Sequence, residues 1–129
     1  MDIEQLYTYC LRKKGTSTAF PFDEKVLVFK VLDKVFALTD LSKWEAGDHS
    51  VNLKCDPQQA LVLRDQYQAV QPAYHMNKKH WNTVTCNQDV PDKLILELID
   101  HSYACVVKGM TRKQKDWLLS VRGLATVRA

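Results

Sequence analysis

The sequence predicts an α+β fold with a mainly antiparallel sheet backed by helices. Amphipathic helical patterns lie near both ends of the chain, and short β-rich runs fill the region between them. Turn residues separate neighbouring runs at distances that suit hairpins rather than helical crossovers. Its 129 residues fit one domain, and no repeat, low-complexity tract or linker divides them. We therefore expect a single domain over residues 1–129.

An amphipathic helix is predicted over residues 2–14. Apolar residues recur with the spacing of one helical face: Ile3, Leu6, Tyr7, Cys10 and Leu11. The basic residues 12–14 would complement the carbonyl end of this helix, and Gly15 would cap it. Pro21 interrupts the following segment, so residues 15–23 are expected to form a loop.

Three strands are predicted next. Residues 26–32 and 35–41 are rich in β-branched and aromatic residues, and the two residues between them suit a hairpin turn. Residues 43–49 are interpreted as a turn or a longer hairpin loop. In the strand 51–55 apolar and polar residues alternate, which places Asn52 and Lys54 together on the polar face.

A helix over residues 57–67 and a second hairpin are expected to follow. Asp56 and Pro57 suit the N-cap and first position of that helix. Pro72 then breaks the chain. Residues 73–77 and 81–87 are predicted strands, and residues 78–80 form the turn between them, so that their cationic side chains sit at a hairpin tip.

Two helices complete the predicted fold. One opens at Pro91 and ends at Gly109, with an apolar stripe along it. Thr111 and Gln114 match a capping box that opens the last helix. The apolar residues assigned to that last helix are Trp117, Leu118 and Val121.

Composition and charge indicate an ordinary cytoplasmic protein. Apolar residues make up 46% of the chain, and the formal net charge is +3. The four cysteines lack zinc-ligand spacing and fall at apolar positions, which favours buried thiols in a reducing compartment. No secretion signal or membrane-spanning run is present in the sequence.

The last part of the chain is basic. From Lys108 onward there are six basic residues and one acidic residue. This pattern fits a solvated helix face or a binding surface. Arg112 and Lys113 would extend a basic surface if the last helix packs on the same side as the residues 78–80.

Residues 74–81 concentrate the candidate binding side chains. They comprise two lysines, two histidines, an asparagine, two aromatic residues and a methionine, with no acidic residue. Cationic and flat side chains without a countercharge suit a phosphate-rich partner, although a solvated loop would have a similar composition. The candidate residues for nucleic-acid or anion binding are Lys54, Tyr74, His75, Asn77, Lys78, Lys79, His80, Trp81, Arg112 and Lys113.

Several segments together resemble the MmcQ/YjbR family. They are VFALTD (35–40), VNLKCDP (51–57), PAYHMNKKHWNTV (72–84) and DHSY (100–103). The resemblance covers nearly the whole chain and is least distinctive in the first twenty residues and beyond Lys108. It implies a fold similar to the frataxin/CyaY proteins, namely a curved antiparallel sheet backed by helices. It also implies DNA binding and brings no enzymatic activity with it.

Iron binding is not expected to accompany the frataxin-like fold. Frataxins carry many acidic residues along the first helix and the adjoining strand edge. The first helix here has only Asp2 and Glu4 before its basic end. No third ligand joins His75 and His80 convincingly, so neither a metal nor a cofactor is predicted.

The predicted function is weak, charge-driven DNA binding without sequence preference. The alternative is a binding module for a small anionic ligand or an acidic protein segment, in which a shallow pocket is lined by Tyr74, His75, Asn77, Lys79, Trp81 and Lys54. Asp100, His101 and Ser102 supply the residue types of a catalytic triad, but neighbours on a helix point in different directions. We therefore expect no catalytic residues.

Overall fold

A six-stranded antiparallel sheet with helices against it forms the structure. The computed structural model describes residues 1–120. Within this range the elements follow in the order α1 (Ile3–Leu11), β1 (Thr16–Ala19), β2 (Val26–Val31), β3 (Lys34–Asp40), α2 (Leu41–Glu45), β4 (Ser50–Lys54), α3 (Pro57–Gln66), β5 (Val70–Pro72), β6 (Trp81–Thr85), α4 (Asp92–Lys108) and α5 (Arg112–Ser120). The predicted α+β class is confirmed.

The strands lie in the order β1-β2-β3-β4-β6-β5, and each neighbouring pair is antiparallel. Strands that follow one another in the chain, such as β1–β2, β2–β3 and β5–β6, therefore pair as hairpins. Helix α3 leads from β4 to the edge strand β5. In β4 the buried Val51 and Leu53 alternate with the partly exposed Asn52 and Lys54. The predicted polar face of this strand is confirmed.

The hydrophobic core lies between the sheet and the long helix α4. This helix packs across β2, β3 and β4, and its fully buried Ile95 and Ile99 join Phe29 and Phe36 in one cluster. Helix α1 adds Leu6 to the same cluster. The helical periodicity of the sequence therefore marks the faces that the helices bury.

Ser102 completes the sheet where β3 and β4 separate. Between these strands Ala37 pairs with Leu53 and Leu38 pairs with Asn52. Beyond them, the Ser102 hydroxyl donates to the Phe36 carbonyl and accepts from the Lys54 amide at 2.8 Å. A buried side chain on α4 thus replaces a ladder hydrogen bond and fixes the helix against the sheet.

Two predicted strand boundaries were wrong. Residues 15–23 contain the edge strand β1, in which Thr16 and Thr18 pair with β2. The strand predicted over 73–77 is instead a loop, and the true strand β5 ends at Pro72. Proline is tolerated at an edge position because no further strand needs its missing amide donor.

The helix boundaries differ in smaller ways from the predictions. Helix α1 ends at Leu11, so the basic residues 12–14 follow the helix. Gly15 has a φ of 71° and turns the chain into β1 rather than capping the helix. The short helix α2 occupies part of the predicted turn 43–49. Val121 lies outside the described residues.

The predicted helix starts at Asp56 and Thr111 are confirmed. The Asp56 carboxylate accepts from the Gln59 amide at 3.1 Å, and Thr111 and Gln114 exchange the two hydrogen bonds of a capping box. No helix within residues 1–120 combines the length and the apolar composition needed to cross a membrane.

Candidate nucleic-acid interface

Basic side chains gather at one end of the sheet, which we call the basic end. Here β1, β3 and β6 begin and β2, β4 and β5 end, because every neighbouring pair is antiparallel. Helix α4 also ends here, and α5 runs from this point towards Gly15, where Leu118 packs. The basic residues in these segments are Lys14, Lys34, Lys54, Lys78, Lys79, Lys108, Arg112, Lys113 and Lys115.

Acidic side chains at the basic end are few, and two of them are engaged locally. Asp33 lies in the turn between β2 and β3. Asp56 caps α3, and Asp116 forms an ion pair with Arg112 at 3.4 Å. The basic end therefore keeps a strong excess of positive charge.

The opposite end of the sheet carries the opposite charge, and we call it the acidic end. It contains the β1–β2 loop, the segment from β3 to β4, and the starts of α1 and α4. The Met1 ammonium, just before α1, forms an ion pair of 3.2 Å with Asp92 at the start of α4. Its acidic residues are Asp2, Glu4, Asp23, Glu24, Asp40, Glu45, Asp48, Asp89 and Asp92. Lys25, Lys43 and Lys93 are its basic residues. The small net charge of the chain conceals this separation.

The loop 73–80 between β5 and β6 is held by backbone hydrogen bonds at both ends. The Ala73 amide donates to the Trp81 carbonyl at 3.1 Å, and the His80 carbonyl accepts from Cys55 at 2.7 Å. Asn77 closes the turn because its carbonyl accepts from Trp81 at 2.9 Å. The loop is thus fixed beside β4. It joins the antiparallel pair β5–β6, so the predicted hairpin is present, but its first strand ends at Pro72 and not at residue 77.

Arg64 on α3 anchors the same loop from the side. Its guanidinium donates to the Lys78 carbonyl and, at 2.7 Å, to the side-chain oxygen of Asn82. Asn82 is buried, so this hydrogen bond satisfies a polar group inside the protein. The exposed lysines of the loop therefore stand on a well-fixed backbone.

Exposed side chains of the loop form a small cationic and aromatic cluster. The Tyr74 ring, which is 76% exposed, makes an edge contact with His75 at 4.5 Å between centroids. The Lys78 ammonium lies 5.6 Å from the Tyr74 ring and donates to the Tyr74 carbonyl at 3.1 Å. Asn77 and Lys79 are also exposed, and the Asn77 side chain accepts from the Lys79 amide at 3.0 Å.

The remaining predicted site residues lie in different surroundings. His80 lies in the turn 78–80 as predicted, but it is half-buried and its carbonyl accepts from the Cys55 amide, so it is not held out from the sheet. Trp81 is half-buried and faces Lys54 across the β4–β6 pair. Arg112 and Lys113 open α5, which follows α4 at the basic end and packs near Gly15 beside the β1 edge of the sheet.

A cleft of about 540 Å³ opens at the basic end and differs from the shallow pocket predicted around residues 74–81. Lys54 and His80 line it from the sheet side, and His101, Cys105 and Lys108 line it from α4. The three α4 residues follow the i, i+4, i+7 spacing of one helical face. That spacing is present in the sequence, but which residues the helix face meets depends on how α4 packs on the sheet.

Hydrogen bonds fix the His101 ring in this cleft. Its Nε2 accepts from the backbone amide of Asp56 at 3.1 Å and lies 3.4 Å from the Cys105 sulfur. In this arrangement the ring proton is on Nδ1. Burial raises the pKa of the Cys105 thiol, which opposes its use as a nucleophile, while Lys54 acts in the other direction.

The cysteines follow the prediction in three of four cases. Cys10, Cys55 and Cys86 are buried, whereas Cys105 is partly exposed. Burial raises the pKa of both Cys55 and Cys86 to about 11. Within residues 1–120 no three His, Cys, Asp or Glu side chains are grouped to hold a metal ion.

Comparison with known proteins identifies relatives along almost the whole chain. A family model described as YjbR matches residues 11–105. The Escherichia coli K12 protein YjbR is 34% identical over 121 residues, which cover 94% of this chain and 100% of that protein. YbdF of Escherichia coli O157:H7 is 35% identical over 96 residues, or 74% of this chain and 76% of YbdF. Both relatives are named as uncharacterized proteins.

Solved structures share the fold. The crystal structure of the Deinococcus radiodurans protein DR2400, with the family domain DUF419, is 36% identical, and the TM-score is 0.83. The match covers 99% of this chain and 95% of that chain. A crystal structure of a Pseudomonas syringae protein is 31% identical with a TM-score of 0.68, and the match covers 81% of this chain and 98% of that one.

Proposed function

This chain belongs to the YjbR family, and we propose that it binds DNA weakly and without sequence preference through the basic end. The separation of charge between the two ends of the sheet is the observation that carries this proposal. A protein with a small net charge binds a polyanion when its positive charges share one surface. The acidic end would turn away from DNA and so orient the molecule as it approaches.

The exposed residues of the loop 73–80 supply suitable contacts for a phosphate backbone. Lys79 is exposed, and the Lys78 ammonium lies close to the exposed ring of Tyr74. A lysine supplies a point charge for phosphate, and an aromatic ring offers a face for sugar or base. Arg112, Lys113 and Lys115 on α5 would extend these contacts along the same end of the sheet.

Few side chains at the basic end could read base edges, which fits binding without sequence preference. Reading base edges requires side chains with free donors and acceptors. The Asn77 oxygen already accepts from the Lys79 amide, and the Asn52 oxygen accepts from the Thr83 hydroxyl at 2.6 Å. The interaction would therefore depend on charge and be sensitive to salt.

Fluorescence anisotropy of a labelled short duplex, titrated with the protein at two salt concentrations, tests the proposal. We expect binding at low salt that is lost at moderate salt, with a slope set by the number of phosphates contacted. A small anionic ligand or an acidic peptide would compete only weakly with such an extended contact. No binding at low salt would refute DNA binding and favour the alternative of a small-anion or acidic-peptide binding module.

We also propose a frataxin/CyaY-like fold, a cytoplasmic location and the absence of catalysis. We place the fold with the frataxin/CyaY-like proteins, since α3 and α4 contribute to one core on one face of an antiparallel sheet. The few acids of α1, Glu4 within it and Asp2 at its cap, argue against an iron ridge. We propose a cytoplasmic, non-catalytic protein, because the three buried thiols suit a reducing compartment and burial raises the pKa of Cys105, which opposes its use as a catalytic nucleophile at neutral pH.

A further inference from the structure

We propose that the cleft between β4, the loop 73–80 and α4 binds a phosphate monoester that carries a nucleoside-sized organic group. Such a ligand exists free as a mononucleotide and also at the 5′-phosphorylated end of a DNA strand. The inference goes beyond the charge-driven contact of an internal DNA backbone, because it assigns one open cleft to one terminal phosphate.

Two lysines and a histidine reach the cleft from separate parts of the chain. Lys54 comes from the end of β4, His80 from the residue before β6, and Lys108 from the last turn of α4. Both lysines lie close enough to Cys105 to lower its pKa against the larger effect of burial. A phosphate monoester carries up to two negative charges, which suits two ammonium groups and a histidine that can donate a hydrogen bond.

The one acidic residue that lines the cleft is Asp56, whose carboxylate is directed to the start of α3 but keeps its negative charge and raises the pKa of Cys105. The Asp56 carboxylate accepts from the Gln59 amide at the start of α3, and its backbone amide donates to His101. The start of α3 also borders the cleft at Pro57, where the Asp56 carboxylate offsets the positive end of the helix dipole. The carbonyl end of α4 opposes an anion here, and Lys108 in its last turn offsets that effect.

The size and walls of the cleft favour an organic group beside the phosphate. About 540 Å³ is within the range of small-molecule sites and far exceeds the space that a phosphate ion fills. Side chains of low polarity form much of the wall, namely Cys55, Pro57, Ala104 and Cys105. An apolar wall with a few convergent cations suits a flat group attached to an anion.

Cys105 provides a direct reporter of occupancy. It lines the cleft and is partly exposed, whereas the other three thiols are buried. A bound ligand should therefore shield it from iodoacetamide, a small neutral reagent. Intact-mass spectrometry would follow the alkylation at mildly alkaline pH, and Cys105→Ser would identify the labelled thiol.

The decisive comparison uses adenosine 5′-monophosphate and adenosine. We expect the monophosphate to slow labelling of Cys105 about tenfold when its concentration is ten times its dissociation constant, and adenosine to have no effect. Lys108→Ala should remove this protection. Lys93→Ala removes the same charge from the other end of α4 and should keep it. The thermal midpoint should rise with the monophosphate alone, which gives a readout independent of the thiol.

Two duplexes that differ only in a 5′-phosphate or a 5′-hydroxyl group distinguish the ligand sources. Protection by the phosphorylated duplex would assign the site to strand ends, and protection by the mononucleotide alone would assign it to free nucleotides. Unchanged labelling and midpoint with every phosphate probe, or equal effects of adenosine, would overturn the inference. If the protein binds the duplex but no probe protects Cys105 from alkylation, the proposed DNA binding stands and the cleft proposal fails. If the mononucleotide protects Cys105 but the duplex does not bind, the cleft proposal stands and the proposed DNA binding fails.

Discussion

Arg64 on α3 donates a hydrogen bond of 2.7 Å from its Nε to the side-chain oxygen of Asn82 on β6. The same guanidinium also donates to the Lys78 carbonyl. One side chain thus joins a helix, a buried position of the sheet and the loop that carries the proposed DNA contacts. Neither Arg64 nor Asn82 stood out in the sequence.

Replacing Arg64 should weaken both the fold and the loop. Arg64→Ala leaves the buried oxygen of Asn82 without its charged donor, so we expect the free energy of unfolding to fall by about 2 kcal/mol. Urea denaturation measures this change. Asp65→Ala, at the exposed neighbouring position, is the control and should stay within about 0.5 kcal/mol of the wild type. Equal stabilities of the two variants would contradict this role of Arg64.

Removing the Ser102 hydroxyl should be more damaging. Ser102→Ala leaves the Phe36 carbonyl and the Lys54 amide without their bridge between β3 and β4. We expect a loss of about 2–4 kcal/mol, because two backbone groups lose their partner in a buried or partly buried place. Ser17→Ala, at an exposed position of β1, should change stability little. Calorimetric or urea unfolding of the pair tests this, and a loss below about 1 kcal/mol for Ser102→Ala would show that water replaces the hydroxyl.

Gly15 and Gly47 form a matched pair for the docking of α5. Both have positive φ, of 71° and 93°, so alanine strains the backbone at either position by about 1 kcal/mol. A Cβ at Gly15 would lie 2.6 Å from Leu118 on α5, whereas a Cβ at Gly47 meets nothing within 4 Å. Gly15→Ala should therefore cost more stability than Gly47→Ala. Equal costs would mean that Leu118 shifts aside freely.

Tyr9 should make stability depend on alkaline pH. Burial, together with its hydrogen bond to Asp100, raises the pKa of Tyr9 from 10.0 to about 12. The folded state thus holds this proton more tightly than the unfolded state, so the contribution is complete below pH 10 and is lost as pH rises towards 12. Tyr9→Phe should show a shallower fall in the free energy of unfolding across this window. Urea denaturation at a series of pH values would detect it, and parallel curves would refute it.

Helices and central strands could be predicted from the sequence because their signals are local. Apolar periodicity marks α1 and α4, and the side chains of Asp56 and Thr111 mark helix starts within three residues. The edge strands β1 and β5 are short, and each pairs with only one neighbouring strand. They lack a clear apolar alternation, so no local signal in the sequence marks them. Pro72 was interpreted as a break, although an edge strand accepts it.

The candidate site was only partly predictable for a related reason. Lys54, Lys78 and Lys79 stand out as charges and do lie at one end of the sheet. The cleft combines Lys54 and His80 with His101, Cys105 and Lys108, which meet only through the packing of α4 on the sheet. The acidic end was also hidden, because its residues come from four separate segments and are ordinary surface charges in sequence.

Two charge-matched double variants test the central claim, that the basic end binds DNA. Lys78→Ala with Lys79→Ala removes two positive charges at the basic end, and Lys43→Ala with Lys93→Ala removes two exposed charges at the acidic end. The two variants have the same net charge, and fluorescence anisotropy measures how the duplex affinity of each depends on salt concentration. We predict that the first variant lowers the magnitude of the salt slope by about 1–2 and weakens binding, while the second keeps the wild-type slope. Equal losses in both variants would show that net charge alone drives binding and would contradict a DNA interface at the basic end.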